Sequence, residues 1–422
     1  MRRVVRTAIS VFLLIAMVVS MTGCATGVKA DDLTEGVQKR ATSAYVDRGS
    51  FATGMSDFAV RLAKTCNESD AGHNVLVSPL SVIMALSMTV NGAEGETLEE
   101  MEKTLGFSKD ELNAYACAYM QMLKELPGDA GSLDIANSIW FPNDSRIELN
   151  KDFLQTNADH YDASLYSAPF DDTTVSSVNN WISEKTHGMI PQIINSIPNR
   201  AVMLLVNALA FDAEWTEPYK STSVHDGDFW VTEKKRRFVP FMYGNEDVYL
   251  SDDYAQGFIK YYKGRKFAFV ALLPDEGVDI NLYLNSLDGE SLQELFANAS
   301  SEKVITSIPK YELEYNVSLE EVLQKMGMQR AFDKDTAQFG NLGKSAYNIY
   351  IDSVLHKTYI SVDEKGTRAG AVAAVMMASG AKERPKEKIV YLNRPFIYML
   401  VDNETKTPFF IGVLNNPDPE HP

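Results

Sequence analysis

Residues Glu364 to Ala381 read EKGTRAGAVAAVMMASGA. Between Ala369 and Ala378 there is no charge and no proline, and small residues dominate. A basic and polar run follows, from Lys382 to Lys388. Composition alone fits a buried small-residue strand or helix, or an aggregation-prone loop. Strand parity sharpens the picture. In an extended chain Thr367, Ala369, Ala371, Ala373, Val375 and Met377 share one face, and every one is small or apolar. Arg368, the only charge between Lys365 and Lys382, falls on the other face. The segment suits a slot in a covered sheet with Arg368 left in water, yet it adjoins a stretch that reads as an exposed loop.

Outward from this segment, helices and strands mix without regular βαβ alternation, which predicts an α+β fold in one domain. Helical periodicity starts at Ser56, at Ser78-Pro79 and at Glu99, the last running to Gly106. Strand-like runs cover Leu133–Phe141, Ala201–Phe211, Phe267–Leu273, Val304–Pro309, Ile349–Val362 and Ile397–Val401. The 422 residues are 45% hydrophobic, enough for a large core. No fixed-period repeat divides them.

The N-terminus reads as a targeting segment. Arg2, Arg3 and Arg6 precede the apolar run Ile9 to Val19, too short to span a bilayer comfortably. Met21-Thr22-Gly23-Cys24 resembles a bacterial lipobox, which implies a signal peptide over residues 1–23 and lipid on Cys24. Polar residues 24–50 then read as a tether that lifts a domain of residues 51–422 off the outer face of the cell membrane. Cys66 and Cys117 sit in helix-like surroundings and are expected to be buried thiols, with one bridge left open.

Charge and motifs exclude several functions. The net charge is −17, and loss of the basic signal makes it more negative, which argues against a nucleic-acid partner. No CxxC or HExxH spacing predicts a metal, and no cofactor is expected. No GxSxG elbow is present, and Gly343-Lys344-Ser345 lacks the first glycine of a phosphate loop, Gln338 standing there instead. His356 lies in an alternating strand-like run, where a lone histidine reads as a hydrogen-bonded core residue rather than a general base. An enzyme is not expected.

Several further motifs carry a family resemblance. Asn74-Val-Leu-Val-Ser-Pro-Leu-Ser81 is followed by Gly92-Ala-Glu-Gly-Glu-Thr97, and Val178-Asn-Asn-Trp181 by Thr186-His-Gly188. Leu205-Val-Asn-Ala208 precedes Phe211 and Trp215; Gly327-Met328 precedes Phe332. His356-Lys357 leads to Glu364-Lys-Gly-Thr367, then Val390-Tyr-Leu-Asn-Arg-Pro-Phe396 and Phe410-Ile-Gly-Val-Leu-Asn-Asn-Pro417. In this order and spacing, from about Ser56 to Pro417, the chain resembles the serpins.

The resemblance implies three β-sheets, about eight or nine helices, and an exposed reactive loop over roughly residues 364–392 within an α+β fold. It implies a monomeric suicide-substrate inhibitor that forms a covalent acyl-enzyme with a target serine protease, a cysteine protease being the alternative target. Glu364, Gly366, Thr367, Ala369, Ala371 and Ala373 match the hinge. Ser78, Ser81, Asn207 and His356 match a shutter beneath the main sheet, and Trp215 the breach where the loop enters. Counting forward from Glu364 places the scissile bond at Gly380–Ala381; counting back from Pro395 places it at Arg384–Pro385. A proline after Arg384 blocks most trypsin-like enzymes, and Lys382 is followed by an acid. The favoured window is therefore Met377, Ala378, Ser379, Gly380 and Ala381, suited to elastase-like or subtilisin-like proteases, with Lys382 and Arg384 as alternatives. The stretch Lys109 to Glu125 has no excess of base, which argues against heparin-type activation. A non-inhibitory binding or chaperone module is the rival reading.

Overall fold

The computed structural model describes residues 30–40, 47–126, 131–161, 163–198, 201–352, 354–367 and 387–418. Its elements run β1 (Asp31–Asp32), α1 (Arg48–Ser69), β2 (Val75–Val77), α2 (Pro79–Val90), α3 (Gly95–Leu105), α4 (Lys109–Lys124), β3 (Ser132–Pro142), β4 (Ile147–Leu149), α5 (Lys151–Tyr161) and β5 (Ser164–Ala168). Next come α6 (Asp172–Lys185), β6 (Leu204–Glu214), β7 (Val224–Thr232), β8 (Lys235–Glu246), β9 (Tyr249–Ser251), β10 (Ala255–Tyr261) and β11 (Phe267–Pro274). The chain continues through α7 (Ile280–Ser286), α8 (Gly289–Ala297), β12 (Val304–Pro309), β13 (Tyr311–Ser318), α9 (Leu319–Lys325), β14 (Gly343–Ser345) and β15 (Val354–Val362). It closes with β16 (Gly366–Thr367), β17 (Lys388–Tyr391), β18 (Phe396–Asp402) and β19 (Pro408–Leu414). This is an α+β architecture, with nine α-helices among the described residues.

Three large sheets form, and a two-stranded ribbon of β14 and β4 adds to them. The main sheet runs β1-β5-β3-β6-β16-β15-β13, the second β2-β19-β18-β11-β10-β9, and the third β17-β12-β8-β7. Burial follows the sequence pattern. Every residue of β11, β18 and β19 is buried, as expected of strands covered on both faces. β15 alternates buried and half-buried residues, so one of its faces looks into the core and the other outward. Helix α2, entered through the Ser78 cap with Pro79 at its first turn, is buried throughout and lies behind the main sheet.

Several expectations change. Part of the stretch 24–50 read as a tether is built into the fold: β1 pairs with Tyr166 and Ser167 of β5, and the Leu33 N–H donates to the Leu165 carbonyl at 2.7 Å. The edge of β5 offers unpaired backbone groups, and Leu33 packs on the core. Two residues of strand leave no periodicity to read. Helix α1 starts at Arg48 rather than Ser56, because Asp47 caps it and Phe51, Ala52 and Met55 already face inward. Cys66 is buried, and burial pushes its thiol up to about 12; Cys117, expected buried, is half-buried. Both described ends of the stretch 364–392 are strands rather than exposed loop.

Candidate functional site

The hinge begins with a turn made by one carboxylate. Asp363 Oδ1 accepts the N–H groups of Lys365 at 2.8 Å and Gly366 at 3.2 Å, folding the chain back beside β15. Gly366 and Thr367 then sit as β16 between two strands. Gly366 pairs with Glu214 and Thr367 with Ala213 of β6, antiparallel, and Thr367 also pairs with Val362 of β15. The approach at Gly366 needs glycine, since a Cβ there would stand 2.1 Å from the Ala213 carbonyl oxygen. Thr367 is buried, and its hydroxyl lies 2.5 Å from the Tyr262 hydroxyl.

Aromatic rings and two ion pairs brace this entry. Trp215 donates its backbone N–H to the Lys365 carbonyl at 2.7 Å and its indole N–H to the Asp363 carbonyl at 2.9 Å. Its ring stacks on Tyr262, centroids 4.4 Å apart. The Tyr219 N–H donates to the Glu364 carbonyl, and the Lys310 ammonium pairs with the Glu364 carboxylate at 2.9 Å. Partial burial opposes ionisation of Glu364, yet the Lys310 bond prevails and holds its carboxyl below the usual range. Beneath them Lys260, buried, pairs with Glu246 at 2.8 Å while its ammonium faces the Tyr219 and Trp215 rings.

Below Thr367 the main sheet has a slit. β6 and β15 pair directly at Leu205–Val354 and Val206–Leu355, in parallel, and are bridged by β16 at Ala213 and Val362. Among the described residues no pairing joins them in between, over residues 207–212 of β6 and 356–361 of β15. Six residues on each edge make a slit about 20 Å long. Phe211, packed edge-on against Tyr262 and Phe267, lines its buried face. Over its closed end lies α6, whose Val178, Trp181 and Ile182 join Leu204 and Val206 in a separate apolar cluster.

Polar groups gather at that closed end. The Ser78 N–H donates to His356 Nε2 at 3.0 Å, Ser78 Oγ donates to the Phe409 carbonyl at 2.8 Å, and the Ser81 N–H donates to Ser78 Oγ at 3.2 Å. Asn207 bonds to Asn137 of β3, leaving Asn207 Oδ1 and Asn137 Nδ2 buried without partners. His356 Nε2 accepts a bond, so the ring is neutral. Burial lowers its pKa from 6.5 to about 4. The unfolded chain takes up this proton as pH falls below 6.5, whereas the folded protein resists until about 4. Stability from this group is therefore complete above pH 6.5 and declines through the window down to 4, by about 3 kcal/mol in all. Melting temperature should fall between pH 7 and pH 5, and should fall less in His356→Gln; equal slopes would contradict the assignment.

Glu364, Gly366, Thr367 and Trp215 thus meet at the open end of the slit, and Ser78, Ser81, Asn207 and His356 at its closed end. Ala369, Ala371, Ala373, Met377, Ala378, Ser379, Gly380, Ala381, Lys382, Arg384 and Cys24 lie outside the described residues. Sequence reading missed Tyr262, Lys310 and Asn137, each remote in the chain from its partner. Asp363 was within reach, since an Asp two residues before a donor pair is an Asx-turn signal.

Comparison with known proteins gives a consistent result. The family model "Serpin (serine protease inhibitor)" matches residues 53–417. The chain is similar to an uncharacterised serpin-like protein of Thermococcus kodakarensis, at 29% identity over 92% of this chain and 88% of that protein. It is similar to the leukocyte elastase inhibitor of Equus caballus, at 26% identity over 87% of this chain and 99% of that one. Among solved structures it resembles the thermophilic serpin tengpin in the native state, with TM-score 0.86, 43% identity, and coverage of 92% and 100%.

Proposed function

Because the chain belongs to the serpin family, whose members are in general protease inhibitors rather than enzymes, we propose that it inhibits serine proteases as a suicide substrate. The observation that carries this reading is the seating of Gly366 and Thr367 at the mouth of a slit that no described strand fills. Continuing their antiparallel register down β6 sets Ala369 against Phe211, Ala371 against Leu209 and Ala373 against Asn207. On the β15 side the same three meet Ile360, Thr358 and His356. All six neighbours are buried, and all three alanines are small enough for a core face. Arg368 falls to the outer face, opposite Asp212 and Ser361.

The mechanism follows. A protease attacks the loop and forms an acyl-enzyme. Once cut, residues after Thr367 add a strand to the sheet and drag the bound protease with them, distorting its active site before deacylation. Insertion of a strand into a sheet serves both peptide recognition and conformational switching, because main-chain hydrogen bonds give the new strand its affinity. Passing Ala373 requires parting the two pairs at Leu205 and Val206, the point where Asn207, His356 and Ser78 converge. The shutter residues set that barrier.

The depth of the sheet supports a cut within Met377–Ala381. The same register brings residue 376 level with Leu204, the first residue of β6. A cut after Gly380 leaves four residues, about 13 Å, below the sheet, whereas a cut after Arg384 leaves eight, about 26 Å. The shorter run holds the acyl bond against the base of the molecule and distorts the protease more. Elastase-like or subtilisin-like enzymes accept the small residues here, and the similar equine protein is by name an elastase inhibitor. Intact-mass analysis of the C-terminal fragment released by elastase should place the cut between Met377 and Ala381; a cut after Lys382 would overturn this assignment.

The N-terminal signal and Cys24 support lipid attachment outside a bacterial membrane, so the inhibitor would act on extracellular enzymes as a tethered monomer. The experiment for the whole reading is incubation with serine and cysteine proteases, scored for SDS-stable complexes. Cleavage of the loop by every enzyme with no complex formed would replace inhibition with the binding-module reading.

A further inference from the structure

The β7–β8 hairpin departs from the rest of this acidic chain. Its turn and first strand residues read Lys234-Lys235-Arg236-Arg237, four consecutive cations in a protein of net charge −17. The Lys234 and Lys235 N–H groups both donate to Thr232 Oγ1, which fixes the turn that presents their exposed side chains. Strand pairing sets Trp230 opposite Arg236 and Asp228 opposite Phe238, so these four share the outward face. On it Phe238 is 72% exposed and Trp230 41% exposed, with the Arg236 guanidinium facing the Trp230 ring. Asp228 is paired with Arg236 at 2.7 Å, and Glu233 is the other acid at the tip. Arg237, on the opposite face, keeps Nε and Nη2 buried without hydrogen-bond partners.

We propose that this hairpin docks on a lipid surface bearing anionic headgroups. Cations beside exposed Trp and Phe are the chemistry of the bilayer interface, where the ammonium and guanidinium groups meet phosphates and the rings enter the headgroup boundary. A soluble polyanion would satisfy Lys234 and Lys235 but would give nothing to Phe238, a side chain with no polar atom. At physiological salt charges beyond about 8 Å are screened, so the hairpin meets the surface without the repulsion of the whole acidic body. Docking of this kind is weak alone and gains from a tether that keeps the hairpin near the bilayer. The proposal takes nothing from the inhibitory reading; it takes from the N-terminal signal only that a membrane is at hand.

The test uses residues 25–422, which hold every described element and carry no acyl group, so a failure of lipid attachment at Cys24 cannot alter the result. The protein is sedimented with vesicles of phosphatidylcholine, or of phosphatidylcholine mixed with phosphatidylglycerol. Binding to the mixed vesicles should exceed binding to the neutral ones and fall with added salt. Lys234→Glu/Lys235→Glu should remove the difference, and Trp230→Ala/Phe238→Ala should weaken binding roughly tenfold or more. All variants should keep the wild-type melting temperature, since the altered side chains are exposed. Equal binding to both vesicles would overturn the proposal. So would undiminished binding by the aromatic variant together with capture by soluble polyphosphate, which would assign the patch to a polyanion in solution.

Discussion

On the proposed inhibitory reading, Thr367→Arg should turn the protein into an ordinary substrate. Thr367 is buried between β6 and β15, its hydroxyl against Tyr262, and no acid among its hydrogen-bond partners would meet a guanidinium there. Seating an unpaired charge costs several kcal/mol, so the variant would lose its foothold in the sheet. Inhibition is a race between strand insertion and deacylation, and slowing insertion by that much lowers the covalent fraction by roughly a hundredfold. Arg368, one residue on, would take the outer face if the strand inserts in the proposed register, and Arg368→Thr should inhibit like the wild type. The measurement is the yield of SDS-stable complex against cleaved product for both variants. Equal yields would refute the parity on which insertion rests.

Nicking the loop near residue 380 should raise thermal resistance by roughly 10 °C or more, taking about 1.3 °C per kcal/mol for a domain of about 370 residues. About a dozen new ladder hydrogen bonds at ~0.5–1.5 kcal/mol, with burial of Val375, give on the order of 10 kcal/mol. That rivals the entire stability of an ordinary domain, ~5–15 kcal/mol. The uncut protein is then held by a barrier rather than by an equilibrium. Parallel melts of intact and elastase-nicked protein decide the matter; coincident curves would mean that no energy is stored.

What the sequence disclosed, and what it withheld, follows from the range of the interactions. The alternation of β15 and the continuous apolar runs of β11 and β18 are local signals of which faces are covered, and they set those strands within a few residues. The inward side of Thr367 was likewise legible, because it needs only the pitch of an extended chain. Long-range choices left no such trace. β1 is two residues docked on a distant edge, Lys310 finds Glu364 across 54 positions, and Tyr262 finds Thr367 across 105. The turn at Asp363 explains why the loop starts later than expected. A carboxylate accepting two N–H groups reverses the chain and delivers Gly366 into the sheet, so the first exposed position cannot precede Arg368.

The two seated residues resemble the first teeth of a zip already meshed. A free strand meeting a vacant slot must search for its alignment, and a slip of one position would turn Arg368 inward. Here the alignment is settled before any enzyme arrives. On the proposed mechanism closure has one starting point and one direction, and its speed would be governed where the teeth are still joined to the wrong partner, at Leu205 and Val206 under α6.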